Sequence, residues 1–135
     1  MENKDWYFQI VAQIVIKKDD KFLLIKRSEN KTRSGIWEFP AGKVELLEDI
    51  QNAAVREMKE ESGLTPKKIG YIGYHERHGR ERKQHKVYHN FFVEEFEGEV
   101  ELSDEHDDYK WVAKEEILEH GNVGIDTLEV LKKLE

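Results

Sequence analysis

With 135 residues, 38% of them hydrophobic, the chain suits one compact domain spanning 1–135. A formal net charge of −7 argues against broad binding to a nucleic-acid backbone, but not against a small phosphorylated ligand reached through a carboxylate-held cation. The absence of cysteine excludes disulfides and thiolate metal sites, and no apolar run is long enough to cross a bilayer: the richest, Ile10 to Ile16, is interrupted by Gln13.

The charged start, Met1 to Asp5, lacks the basic-then-apolar pattern of a secretory leader, so a cytoplasmic setting is expected. Residues 7–17 read as a strand with Phe8, Ile10, Ala12, Ile14 and Ile16 on one face. Asp19-Asp20 makes a turn and 21–27 returns, giving a hairpin over 7–27. Residues 28–35 form a polar loop, and Ile36 to Phe39 a short apolar stretch ending at Pro40. Residues 48–62 read as a helix: Ile50, Ala54 and Met58 recur at four-residue spacing, with Ala53 and Val55 widening the stripe. Glu48 and Asp49 suit its positive end, and Gly63 its stop, with Pro66 shortly after. Strands follow at 67–76 and 85–96, separated by a basic loop from Arg77 to Lys83. A short strand near Tyr109 to Val112 and helices at about 114–119 and 123–134 close the chain. Strands interspersed with helices imply an α/β fold with a mixed sheet.

The informative stretch runs from Trp37 to Leu64. On a helix Glu57, Glu60 and Glu61 stand at i, i+3 and i+4, so three carboxylates share one face. Their mutual repulsion is relieved by a divalent cation, and all-oxygen ligands suit Mg²⁺ or Mn²⁺. Arg56 lies one turn before Glu60 and can orient it, while Gly42 lets a backbone carbonyl approach a ligand closely. Alone, a Glu-x-x-Glu-Glu run reads as a solvated helix face. Here it has company.

Gly42, Glu48, Arg56, Glu57, Met58, Glu60, Glu61, Gly63 and Leu64 fill every fixed position of the Nudix box, which the segment resembles over 23 residues in a loop–helix–loop context. Weaker resemblance extends through the opening hairpin, the Trp37-Glu38-Phe39-Pro40 entry and the late Tyr109-Lys110-Trp111-Val112 strand. The resemblance implies a Nudix fold, an α/β/α sandwich with a mixed β-sheet, and metal-dependent attack of water on a nucleoside diphosphate derivative. It further implies Glu60 and Glu61 as principal metal ligands, Glu57 as ligand or base, the Gly42 carbonyl as a backbone ligand, Arg56 as the group that orients the carboxylates, and Glu48 as a supporting acid. Glu105, six residues before Trp111, falls where mutator-type relatives carry a late-loop carboxylate, with Asp104, Asp107 and Asp108 as rivals. Two departures stand out. Ala41-Gly42 replaces a frequent Gly-Gly pair, and Leu47 replaces a frequent Gly, which disfavours positive φ and suggests another turn there.

Arg27, at the end of the second strand, matches a substrate-contacting arginine of mutator-type relatives. Phe39 and Asn122 are candidates for holding a base, against core and turn roles respectively. The cluster Arg77, Arg80, Arg82 and Lys83 reads as a solvated loop, and His75, His78, His85 and His89 match no helix-borne zinc spacing, strand alternation being expected to scatter them. The Trp37-Glu38-Phe39-Pro40 entry, the short length and Arg27 look like mutator-type nucleoside triphosphate pyrophosphohydrolases. The expected substrate is therefore a nucleoside triphosphate, including oxidised purine forms, cut to monophosphate and pyrophosphate. ADP-ribose, a nucleotide sugar or a dinucleoside polyphosphate is the alternative, and a noncatalytic nucleotide-binding regulator the alternative from another class. A nucleotide is the expected partner, without membrane or extended nucleic acid, and relatives of this kind are often homodimers.

Overall fold

The computed structural model describes residues 5–134. Seven strands and three helices follow one another as β1 (Tyr7–Lys18), β2 (Lys21–Arg27), β3 (Trp37–Glu38), β4 (Ala41–Lys43), α1 (Ile50–Ser62), β5 (Thr65–Gly79), β6 (Gln84–Glu97), β7 (His106–Ala113), α2 (Lys114–Glu119) and α3 (Ile125–Leu131). The main sheet order is β3-β2-β1-β6-β5, with β4 joined to β1 and β7 to β2. β1 and β6 run parallel from Tyr7↔Gln84 to Ile16↔Val93 while the other pairs are antiparallel, so the sheet is mixed.

The expected opening hairpin exists only at its tip. Asp19 (φ 50) and Asp20 (φ 64) adopt the two left-handed conformations of a type I′ turn. Pairing then stops after Lys17↔Phe22 and Lys18↔Lys21. Beyond that point β1 turns to β6 and β4, whereas β2 turns to β7 and β3. The opening between the diverging strands receives the Phe39–Pro40 connection, where Ile14 N–H donates to the Pro40 carbonyl (2.9 Å).

Each face of the sheet buries its own core. Ala12, Ile14, Ile16, Leu23 and Ile25 pack with Ala53, Ala54 and Met58 of α1. Val15, Phe22, Leu24, Phe39 and Val112 pack with Ile117 of α2 and Val130 and Leu131 of α3. This is the expected α/β/α sandwich, and it explains why Ile14-Val15-Ile16 is continuously apolar: a strand covered on both sides has no polar face. Each such side chain contributes about 1.5–3 kcal/mol on burial. Phe8 (73% exposed) and Ile10 (41% exposed) do not share that burial, contrary to the one-face reading of 7–17.

Several boundaries moved. α1 starts at Ile50 with Asp49 as N-cap, two residues later than expected, which leaves Glu48 in the preceding turn. The Arg77–Lys83 loop is shorter than expected: β5 continues to Gly79 and β6 begins at Gln84, which leaves a turn over 80–83. Solvated side chains on the outer face do not interrupt a ladder whose inner face is anchored, and Arg77 is anchored to Asp126. α3 ends at Leu131, short of the 123–134 expected, and β7 begins at His106, ahead of Tyr109. Among the described residues no helix is long and apolar enough to cross a membrane.

Candidate active site

α1 turns Glu57 and Glu61 inward, where both are buried, and leaves Glu60 at the rim. Arg56 holds this set in place. Its Nε and Nη2 donate to the two Glu48 carboxylate oxygens (2.7 and 2.9 Å), its Nη1 to Glu57 (2.7 Å) and Glu60 (3.3 Å), and Nη2 also to the Lys43 carbonyl (3.0 Å). The late helix start is what permits this. Glu48, outside the helix, approaches Arg56 edge-on and accepts from Glu45 N–H as well (3.0 Å). Hydrogen bonding from Arg56 holds the Glu48 carboxyl down at about 2, and Arg56 is in turn pushed above its ordinary value.

Gly42 on β4 lies against Glu57, and a methyl built there would overlap the Glu57 carboxylate. The missing Cβ is what leaves room for the Glu57 carboxylate against β4. Next to it, Ala41 N–H donates to Glu61 Oε1 (2.9 Å). Burial pushes Glu61 up to about 9, against the pull of that N–H, and Glu57, Glu38 and Glu105 push the same way. Burial raises Glu57 too, with Arg56 opposing. Buried carboxylates this reluctant to ionise beside one another fit a divalent cation, whose charge would reverse both shifts.

Glu105 joins them from the loop before β7. Ser28 N–H donates to the Glu105 carbonyl (2.9 Å) and Ser28 Oγ to that of Asp104 (3.0 Å), which pins the loop to the end of β2. One ligating atom each from Glu61, Glu105 and His106 lie within 4.8 Å of one another. Of the rival acids, Asp104 lines the outer cleft, Asp107 pairs with Lys26 (3.8 Å), and Asp108 accepts from Tyr109 N–H (2.8 Å). Leu47 takes φ 67 in the turn before α1, so the expected avoidance of positive φ does not occur; its side chain, 98% exposed, meets no obstacle there.

The cleft has two parts that share Arg27, Ala41, Gly42, Lys43, Glu61 and Glu105. The outer part, about 800 Å³, exposes the carboxylates. The inner part, about 170 Å³, runs to Gln13, Tyr88 and Asp126. Arg27 lies on the shared wall, its Nε donating to the Thr32 carbonyl (3.0 Å) and its Nη1 3.8 Å from Glu38. Glu38 also meets Arg33 (3.4 Å) and His106 Nε2 (2.9 Å). His106 Nδ1 is buried without a partner.

Two expected base contacts are not placed to make one. Phe39 lines the inner wall but is fully buried, its ring 6.1 Å from Phe22 in the second core, so it offers no free face for stacking. Asn122 is exposed and lies off the cleft lining; its carbonyl accepts from Trp37 N–H (2.8 Å), as a turn residue does.

The inner end belongs to residues that the sequence reading gave no place in the site, Arg77 and His75 among them. Asp126 Oδ1 accepts from His75 Nε2 (2.9 Å) and Arg77 Nε (2.9 Å). Asn90 Nδ2 meets His75 Nδ1 (3.1 Å), and Gln13 Nε2 donates to Asn90 Oδ1 (2.9 Å) and the Asp126 carbonyl (3.2 Å). The His75 ring stacks on Tyr88 at 4.8 Å. Burial works against ionising Asp126, but hydrogen bonds from Arg77, His75 and Tyr88 outweigh it and hold the carboxyl below its ordinary value. The available signal was Gln13, inside the apolar run of β1, and Asn90, beside Phe91-Phe92-Val93 of β6, amides that must be bonded to be buried.

The NUDIX domain matches residues 7–134. The chain belongs to the Nudix family. It is a Nudix pyrophosphohydrolase. It is 34% identical over 110 residues to the CTP pyrophosphohydrolase of Escherichia coli, covering 82% of this chain and 79% of that one. It is 37% identical over 91 residues to the ADP-ribose pyrophosphatase of Methanocaldococcus jannaschii, covering 67% of this chain and 53% of that one. The crystal structure of a MutT NUDIX hydrolase from Burkholderia pseudomallei has the same fold, with a TM-score of 0.87 at 24% identity over 96% of this chain and 99% of that one. The Nudix box of this chain is thus spread over β4, the Leu47 turn and α1.

Proposed function

We propose that this Nudix enzyme hydrolyses a nucleoside triphosphate carrying an amino-bearing base to the monophosphate and pyrophosphate, with Mg²⁺ as cofactor. The observation that carries the reading is the single cleft that joins the buried carboxylates to the Asp126 end. Asp126, fixed in its ionised form, accepts hydrogen bonds only. It therefore favours the exocyclic amino group of cytosine, adenine or guanine, including an oxidised guanine, over the carbonyl of uracil or thymine. The inner cavity is base-sized, and Arg27 and Lys43 flank the passage where phosphates would lie.

In this reading Glu57, Glu60, Glu61 and the Gly42 carbonyl hold the cation. Magnesium, when bound, neutralises charge on the phosphates and acidifies water. Arg56 fixes the direction of the ligands, and Glu48 fixes Arg56. Glu57 is committed to Arg56 at 2.7 Å, so Glu105, beside Glu61, is the better placed group to take a proton from the attacking water. The intact carboxylate set speaks against a noncatalytic regulator.

The test is product analysis with Mg²⁺ on normal and oxidised nucleoside triphosphates, ADP-ribose, nucleotide sugars and dinucleoside polyphosphates, for wild type and Glu60→Gln. Cleavage of amino-bearing triphosphates to monophosphate and pyrophosphate, abolished by Glu60→Gln, is expected. UTP and dTTP should be at least about tenfold poorer, because Asp126 then faces an acceptor. Preference for ADP-ribose would overturn the triphosphate reading, and nucleotide binding without turnover would favour the regulator.

A further inference from the structure

A second group of ligating side chains stands on the β5–β6 hairpin, away from the carboxylate cleft. Strand alternation was expected to scatter the four histidines, and for two of them it does. His75 turns inward to Asp126, and His89 meets the hydroxyl of Tyr71 (2.8 Å). His78 and His85 are instead direct partners across the β5–β6 ladder, with ring centroids 4.3 Å apart. Glu76, two residues before His78, shares its face. Glu76 Oε1 lies 2.8 Å from His85 Nε2. One ligating atom from each of the three residues falls within 4.8 Å of the others. The adjacent strand closes one side, because Phe8 is the β1 partner of His85 and its ring lies 4.7 Å from the imidazole.

Two imidazoles and one carboxylate are the donor set of zinc and the late first-row ions, not of Mg²⁺. Such an ion would replace the proton shared between His85 Nε2 and Glu76 Oε1. A tetrahedral ion with bonds of about 2.1 Å sets its ligands roughly 3.4 Å apart. These side chains, partly open to solvent, can close from 4.8 Å by small rotations. We propose that Glu76, His78 and His85 form an open three-ligand site for a zinc-class divalent ion, with the fourth position left to water. The site fastens the hairpin whose opposite face presents Arg77, Lys86 and Tyr88 to the inner cavity and to Asp126. It does not depend on the substrate assigned to the cleft.

The test is calorimetric titration of the intact protein with Zn²⁺ in saturating Mg²⁺, repeated by the visible absorption of Co²⁺. Wild type should take up one equivalent, and Glu60→Gln should retain it, since that variant alters only the carboxylate cleft. His78→Ala and His85→Ala, both at exposed or half-exposed positions, should bind at least about tenfold more weakly, while His89→Ala should bind as wild type. Uptake unchanged in His78→Ala and His85→Ala, loss of uptake in Glu60→Gln, or no uptake by wild type would each overturn the proposal.

Discussion

Replacing Arg56 by lysine keeps the charge and removes the geometry. The guanidinium reaches Glu48, Glu57, Glu60 and the Lys43 carbonyl at once, at 2.7–3.3 Å. An ammonium is a point donor and satisfies one of these acceptors well at a time. The contact with the most weight for folding is the one to Glu57, largely out of solvent, worth about 1–2 kcal/mol. Lysine can keep it, so stability should fall by about 1 kcal/mol or less. Function should respond differently. Groups that orient metal ligands typically cost 10–100-fold in metal affinity or activity when lost, and here one residue orients two of the three helix carboxylates. Arg56→Lys should therefore raise the Mg²⁺ concentration for half-maximal activity by roughly 10–100-fold, with partial recovery at high Mg²⁺. The assay is pyrophosphate release against Mg²⁺ concentration, alongside thermal denaturation without metal. If Arg56 works through Glu48, Glu48→Gln adds little on top of Arg56→Lys. A Mg²⁺ profile within about twofold of wild type would refute the reasoning, and a large loss of stability would show that Arg56 holds the fold instead of the ligands.

Gly42→Ala should push the Glu57 carboxylate from its place: overpacking costs about 1–3 kcal/mol and misplacement of a reacting geometry about 100-fold in rate, so a variant with wild-type kcat would contradict the seat of Glu57 against Gly42. Leu47→Gly removes the left-handed strain of a non-glycine residue, about 1–2 kcal/mol, against an added chain-entropy cost of about 0.5–1 kcal/mol; a small gain in Tm with unchanged turnover is expected, and a clear drop would mean that the turn does not hold φ 67. Glu61 binds a proton more tightly folded (about 9) than unfolded (4.5), so metal-free protein should lose stability as pH rises from about 4.5 to 9, by at most about 1.4 kcal/mol per pH unit. Glu48, held at about 2, opposes this only at the lower edge of the window, where its unfolded carboxyl still binds protons. Denaturation midpoints in chelator at several pH values should show this slope in wild type and a shallower one in Glu61→Gln, where only the smaller share of Glu57 remains; equal slopes in both would place the effect elsewhere.

How much of this was legible follows from distance along the chain. The helix carboxylates, Arg56 and Gly63 could be read because helical periodicity puts i, i+3 and i+4 together whatever the rest of the protein does. The Asp19-Asp20 turn was legible for the same reason. What failed was the inference from a turn to a full hairpin. A tight turn sets the first pairs, but Phe22–Arg27 found better partners in β7, and Tyr7–Ile16 in β6, so the two strands separate beyond Lys17↔Phe22. Local sequence carries no record of that competition. The same holds for Phe8, which fits the apolar alternation of β1 yet remains exposed.

The site divides along the same line. Every helix-borne member of the carboxylate cluster was named from the sequence, and Glu105 was placed beside them, because the box is contiguous and the late acidic loop returns to the end of β2 through Ser28. The inner end draws Gln13 from β1, His75 and Arg77 from β5, Tyr88 and Asn90 from β6, and Asp126 from α3, with pairs separated by up to 113 residues. No spacing rule links them; the parallel β1–β6 register and the fold-back of α3 do. Asn122 was a reasonable guess by residue type and stands four positions from the residue that faces the cavity. The loop tie of its carbonyl to Trp37 and the helical turn after Gly124 present Asp126 in its place. In the proposed reading the cation ligands come mostly from one helix, whereas base preference would depend on how six side chains on four elements meet.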